Sequence, residues 1–268
     1  MRFCCFHIGT FHCIAAALLL YAILSLQHRS STMDFTLVLH VDINRTLLMS
    51  DKAGRKTTED IISETVASCV YGRVDANGIW VAVSHEPFST PPDEESLVDF
   101  KHYIDSIRFP YPPLSESVNK EEQREKNYAV KERRKAALKT FTSPGFPGEQ
   151  YRDTYSRLLD TLRVQGRPGE YRTIVNSFFH LLVRLESTNV RYRLIFRTFG
   201  TDLDEVAVAM NEFCDGLNPD FPEVNLPHLK LHLPRDAGAF FRDGTNQYLV
   251  LGTLQKPVTM ATGASFCK

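Results

Sequence analysis

The chain lacks the cysteine arrangement that a disulfide framework or a zinc site requires. Of its six cysteines, Cys4, Cys5 and Cys13 lie in the first segment, and Cys69, Cys214 and Cys267 form an odd set at wide spacing. Neither paired loops nor metal-ligand spacing results, which leans toward a reducing compartment. Charge of one sign is also lacking. The formal net charge is −1 at pH 7, so no bulk field draws the chain to nucleic acid or anionic lipid, and no nucleic-acid partner is expected. Internal repeats and low-complexity segments are absent.

Only one long hydrophobic run occurs, from Ile8 to Leu26, and it carries no Asp, Glu, Lys or Arg. It approaches the roughly 18 apolar residues that suggest a spanning helix. Arg2 and Arg29 flank it, and no small-x-small cleavage site stands near Ser25. Two readings follow for residues 1–32. They are a hydrophobic leader or signal anchor that contacts a membrane through residues 8–26, or translation starts at Met33 and the protein is cytoplasmic. One arginine on each side gives no orientation. No core strand or helix is expected before Phe35.

What is present is a chain of 268 residues with 43% apolar content, enough to pack a core. Leu37 to Val41 is a buried-strand pattern that ends in Asp42, with Asn44 and Thr46 following at alternate positions. In open α/β sheets ligands bind beyond the carboxyl ends of such strands, so Asp42 sits where a nucleophile or metal ligand would sit. The blander reading is a turn-forming or helix-capping aspartate. Arg191 to Phe196 is a second strand, closed after Arg197 by Thr198, with Thr201-Asp202-Leu203-Asp204-Glu205 opening a helix. Strand, hydroxyl and helix N-terminus together suggest an anion site, although a strand threonine alone is ordinary.

These two segments resemble the first and second motifs of the haloacid dehalogenase-like (HAD) superfamily, an apolar strand ending Asp-x-Asp-x-Thr/Val and a later apolar strand closed by Ser or Thr. The resemblance implies an α/β fold, a HAD-like parallel sheet of Rossmann type with a mostly helical cap insertion. It implies that Asp42 attacks phosphorus to form an aspartyl-phosphate and ligates Mg2+, and that Thr198, or Thr201 in its place, binds a phosphate oxygen. Asn44 stands at the acid/base position and departs from the pattern, because an amide cannot transfer a catalytic proton. Its backbone carbonyl remains a metal ligand. Lys256, after a strand, is the candidate for the lysine that neutralises phosphoryl charge. The family's acidic pair for Mg2+ has no counterpart, since no Asp-Asp occurs in the chain. Mg2+ affinity is therefore expected to be weak or absent.

The resemblance divides the chain into an incomplete HAD-like core, 33–87 and 169–268, and a cap, 88–168. Within it, Thr57-Thr58-Glu59-Asp60 opens a helix with Ile61, Ile62, Val66, Cys69 and Val70 on one face, and 79–83 reads as a short strand. Pro91 to Glu95 is expected to start a further helix bearing Leu97, Phe100, Ile104 and Ile107. Residues 119–140 are a charged run. A solvated helix with i,i+4 pairs is favoured there over an anion-binding arm, with Arg133-Arg134-Lys135 left as a lid that reaches an anionic substrate. Helices are expected near 149–164, 170–187 and 202–214, an edge strand over 226–233 and a strand over 247–252. The tail 257–268 shows no period and is expected to add no element, leaving a sheet edge uncovered.

The function expected is a phosphatase-related protein acting on or binding a small phosphorylated ligand, weakly active or inactive. The alternatives are a non-catalytic ligand- or partner-binding module on a HAD-like scaffold, and an unrelated α/β protein anchored through residues 8–26.

Overall fold

The computed structural model describes residues 2–8, 35–52, 54–113, 119–188, 190–198, 200–243, 246–252 and 257–262. The chain is mixed α/β and divides into two compact units, one of residues 1–43 and 176–268, the other of residues 44–175.

The first unit holds a parallel sheet in the order β1 (Arg2–Ile8), β2 (Phe35–Asp42), β6 (Tyr192–Arg197). Partners along β2 and β6 run from Leu37 beside Tyr192 to Asp42 beside Arg197. Alternation of side chains along a strand gives β2 two unequal faces. Leu37, Leu39 and Val41 are buried with Tyr192 across from Leu37, whereas Val38, His40 and Asp42 are half-buried. Helix α5 (Asn176–Ser187) packs Phe178 against Phe196 with ring centroids 6.0 Å apart. Its Phe179 stacks on Phe213 of α6 (Leu203–Cys214) at 4.3 Å. Both helices were legible from apolar residues at helical spacing, since Phe178, Leu181, Leu182 and Leu185, then Val206, Met210 and Phe213, are all buried.

Three expectations for this unit are corrected. A strand precedes Phe35, because Arg2–Ile8 pairs in parallel with β2. Residues 226–233 are not a strand: Pro227–Leu229 is a 3-10 turn, and the Asn211 side chain grips Leu231 by donating to its carbonyl at 2.9 Å and accepting from its N–H at 2.8 Å. The tail is not without structure. Pro257–Thr262 forms β9, antiparallel to β8 (Asn246–Gly252), which pairs on its other side with β7 (Gly238–Asp243). Val258, Thr259 and Thr262 are β-branched residues that suit a strand.

The second unit is built on α1 (Thr58–Cys69). Thr57 and Asp60 form a reciprocal capping box: Asp60 N–H donates to Thr57 Oγ1 at 3.3 Å and Thr57 N–H to Asp60 Oδ2 at 3.1 Å. A small antiparallel sheet has the order β4 (Trp80–Ala82), β3 (Tyr71–Val74), β5 (Val98–Asp99). The helix expected from Pro91 begins later. Val98–Asp99 is held against β3, Asp99 caps with Oδ1 accepting from His102 N–H at 2.8 Å, and α2 (Phe100–His102) runs into a π-helical stretch, Tyr103–Arg108.

The charged run is α3 (Lys120–Lys139), with Lys126 and Glu122 paired at 2.7 Å. Arg134 lies over the Tyr111 ring at 3.9 Å and donates to the Phe109 carbonyl at 2.8 Å, and Lys135 donates to the Arg55 carbonyl. Two of the three basic residues proposed for a lid are thus spent on bracing this unit. A short 3-10 turn and α4 (Arg152–Leu162) complete it.

The second unit, 44–175, contains the segment expected as a cap, 88–168, together with residues 44–87 and 169–175, which were expected in the core. The reason is α1. It shares a hydrophobic core with Leu138 and Phe141, and Ser63 Oγ donates to the Leu138 carbonyl at 2.7 Å. Among the described residues no helix is long and apolar enough to cross a membrane. Of the expected membrane segment 8–26, only Ile8, at the end of β1, lies among them.

Phe141 is fully buried and meets Phe100 at 4.4 Å, Tyr151 at 6.2 Å and Trp80 at 6.3 Å. Phe141→Ala is expected to destabilise this unit by about 3–5 kcal/mol, the range for large aromatic truncation in a packed core. Chemical denaturation followed by Trp80 fluorescence measures it; a loss under about 1 kcal/mol would mean the ring is not central to the core.

Candidate functional site

Asp42 closes β2, the middle strand of the parallel sheet, and Thr198 is the first residue after β6. The two motif strands are therefore adjacent and parallel, and both candidate residues stand at carboxyl ends. The register adds a refinement. Asp42 pairs with Arg197, not with Thr198, and Ile43 N–H donates to the Arg197 carbonyl at 3.0 Å. Residues paired across a parallel sheet share a face, so Asp42 shares its face with Arg197 and, further back, with Ile195 and Arg193. Arg197 is exposed.

Thr198 turns away into a tight loop in which Gly200 N–H donates to its Oγ1 at 2.9 Å. A β-carbon at Gly200 would stand 2.5 Å from Asp202 Oδ2 and 3.5 Å from Thr198 Oγ1. Hydroxyl and carboxylate thus crowd the one position in the loop without a side chain. Thr201 is exposed, and Asp202, at the N-cap of α6, is buried at 1% exposure. Asp204 and Glu205 lie in the first turn. The positive end of the α6 dipole is therefore already supplied with carboxylates, where the sequence suggested a place for an external anion.

Asn44 opens the second unit. It bridges to Leu48, and Arg45 N–H donates to the Leu48 carbonyl at 2.8 Å. Arg45 has φ +57°, the left-handed region that a non-glycine residue holds at a cost. Its guanidinium is fixed by Asp51 at 3.4 Å and Glu64 at 3.3 Å. Glu64 is 8% exposed and also meets Lys56 and, at 3.8 Å, Lys101. A buried carboxylate ringed by three cations thus holds the strained turn that follows Asn44.

Lys256 lies outside the described residues. For Mg2+ the residues named by the resemblance supply the Asp42 carboxylate and the Asn44 carbonyl. Among the described residues no three His, Cys, Asp or Glu side chains converge as a metal site.

Arg197 and Asp202 were not among the candidate residues selected from the sequence. The signal for the first was present in Arg193-x-Ile195-x-Arg197, an alternation that puts both arginines on one face. Asp202 was legible as part of the helix-opening segment 201–205, but its burial depends on tertiary packing and has no local signal.

Cysteine chemistry is not favoured here. Burial pushes the Cys214 thiol up to about 11 and raises that of Cys69 as well, so little thiolate forms at neutral pH.

Two tests follow. Glu64→Ala should lower stability by about 2–4 kcal/mol, because it takes the carboxylate from the largely buried Lys56 and loosens Arg45 and Lys101, which keep Asp51 and Asp105; a loss below about 1 kcal/mol would show that the cluster is a surface pair in effect. For Cys214, the folded state holds the proton more tightly than the unfolded state. Its contribution is present below the ordinary thiol value of 9.0 and is lost as pH rises toward about 11. Denaturation across that window should show the decline and Cys214→Ala should flatten it; an identical slope in both would refute the assignment. No protein-family model, no curated protein and no solved structure matches this chain.

Proposed function

We propose that the first unit binds a small phosphorylated molecule at the carboxyl ends of β2 and β6, as a HAD-like phosphohydrolase of low activity. The observation that carries the reading is the pairing of Asp42 with Arg197 at the end of adjacent parallel strands, one residue before Thr198. A carboxylate nucleophile needs a cation near the phosphoryl oxygens, and in-register Arg197 supplies one beside it.

The chemistry follows from the residues present. A carboxylate oxygen of Asp42 attacks phosphorus, the bond from phosphorus to the ester oxygen breaks, and the alcohol leaves with a proton taken from water. Water then attacks the phosphorus of the aspartyl-phosphate, regenerating Asp42 and releasing inorganic phosphate. On the Asp42 face the Arg197 guanidinium would hold the phosphoryl oxygens, while Thr198, the residue the resemblance puts in that role, turns into the loop with Gly200. Asn44 cannot supply the proton to the leaving alcohol, and general acid–base assistance is worth about 100- to 10,000-fold. Mg2+, if bound, would add charge neutralisation through Asp42, but one carboxylate and one carbonyl make a poor donor set for an ion usually held by one or two carboxylates plus substrate phosphates.

The same substitution favours a second reading, a module that binds the phosphorylated ligand and does not turn it over. Phosphate release from aryl phosphates by the full chain, with Mg2+, separates the two. The hydrolase reading expects slow release in the wild type, none in Asp42→Asn, and a rise of about 100-fold or more in Asn44→Asp. Inorganic phosphate binding with no turnover in either wild type or Asn44→Asp selects the binding module. Turnover that survives Asp42→Asn, or phosphate binding unchanged in Arg197→Ala, overturns the site.

A further inference from the structure

The second unit carries a cleft of about 420 Å3, within the range of roughly 300–1,000 Å3 for small-molecule sites. Three segments enclose it: the second half of α1, the loop that follows β4, and α4. These walls are fixed by contacts of their own. Val66 of α1 and Leu159 of α4 belong to one buried core. The loop is tied at both ends. The Ser84 carbonyl accepts from Gln150 Nε2 at 3.1 Å and from the Tyr151 hydroxyl, just ahead of α4. Phe88 N–H donates to the Cys69 carbonyl at 2.7 Å, at the end of α1, and the Phe88 ring meets Tyr71 edge-on at 5.5 Å. Glu86 lies between these two ties. The lining has apolar and charged parts. Val66 is buried, Phe88 and Cys69 are half-buried, and Leu158 is exposed. Burial raises the Cys69 thiol, so at neutral pH it adds soft apolar surface and no charge. Two exposed residues of opposite sign, Glu86 and Arg157, also line the cleft. Among the described residues neither forms an ion pair, with the other or with any third side chain. Arg157 donates to Thr154 Oγ1 at 3.3 Å, where the hydroxyl accepts and keeps its own proton to donate.

We propose that this cleft binds a free α-amino acid with a large apolar side chain. Charge complementarity selects the ligand. A simple carboxylate meets Glu86 as a like charge, and a simple amine meets Arg157 as one. A zwitterion gives each of them a partner. Its carboxylate goes to Arg157, with the Thr154 hydroxyl donating to the same group. Its ammonium goes to Glu86, and its side chain lies on Val66, Phe88 and Leu158. A peptide carries its two terminal charges on different residues and cannot bring both to one cleft of this size. Because Glu86 and Arg157 are exposed, solvent screens both pairs. The binding is therefore weak, with a Kd of about 0.1–1 mM. The site draws on residues of the second unit alone and stands independently of the reading of Asp42 and Arg197.

Saturation-transfer difference NMR on the full chain, with L-phenylalanine and L-leucine as probes, tests this. The comparators are 3-phenylpropionate, which lacks the ammonium, and phenethylamine, which lacks the carboxylate. L-Phenylalanine should bind about tenfold more tightly than either, the worth of one charged hydrogen bond. Arg157→Ala should weaken phenylalanine about tenfold and leave phenethylamine as tight as before or tighter. Glu86→Gln should weaken phenylalanine to a similar degree and leave 3-phenylpropionate as tight as before or tighter. Both substitutions replace an exposed side chain, and circular dichroism checks that the fold is kept. Absence of binding by both amino acids at millimolar concentration overturns the proposal. So does either comparator binding as tightly as phenylalanine, or phenylalanine binding that is indifferent to Arg157→Ala or to Glu86→Gln.

Discussion

Parallel strands cannot be joined by a tight turn, and this governs how the chain is laid out. The backbone that leaves β2 at Asp42 must return to the opposite end of the sheet before β6 can run beside it. A crossover of a dozen residues would be enough. Here the chain instead places residues 44–175 between the two strands, and these form a unit with its own core and its own small sheet. Because β2 and β6 are adjacent, the last residue of one and the first residue after the other come together at the carboxyl edge although they are far apart in sequence.

The inserted unit is held by two kinds of interaction. Phe100, Phe141, Tyr151 and Trp80 form an aromatic cluster with edge-on and stacked contacts, and the capping box fixes where α1 begins. Glu64 does something different. It collects Arg45, Lys56 and Lys101, so charge holds the turn after Asn44 alongside the buried Leu47 and Leu48. Buried carboxylates are expensive unless paired, and the three cations offset that cost, while Glu64 and Asp51 grip the guanidinium of Arg45, whose backbone is left-handed.

At the sheet end, register matters more than residue type. Asp42 and Thr198 are the residues a motif comparison selects. The pairing gives Asp42 the company of Arg197 and leaves Thr198 in a loop with Gly200 and Asp202. A shift of one residue in β6 would exchange those neighbours. That Arg197 shares a face with Asp42 follows from the strand register, while Lys256 lies outside the described residues.

The sequence by itself determined the parts whose signal is local. Alternation and apolar runs marked β2, β6 and β8, and helical spacing marked α1, α5 and α6. The Thr57-x-x-Asp60 signature fixed the start of α1. It also identified Asp42 and Thr198 as strand-end residues. Tertiary structure decided what depends on distant partners. Residues 226–233 alternate like a strand, but the Asn211 side chain claims the backbone groups a ladder would need. Pro91 to Glu95 looks like a helix start, yet β3 draws Val98–Asp99 into a strand and postpones the helix to Phe100. Residues 257–262 have little period of their own and become a strand against β8. Arg197 became a neighbour of Asp42, and Asp202 was buried, only when register and loop closure were set. Hydrogen-bond partners supplied from far along the chain outweigh intrinsic preferences of a few tenths of a kcal/mol per residue, on the order of the propensity scales, and no local pattern encodes which partner arrives.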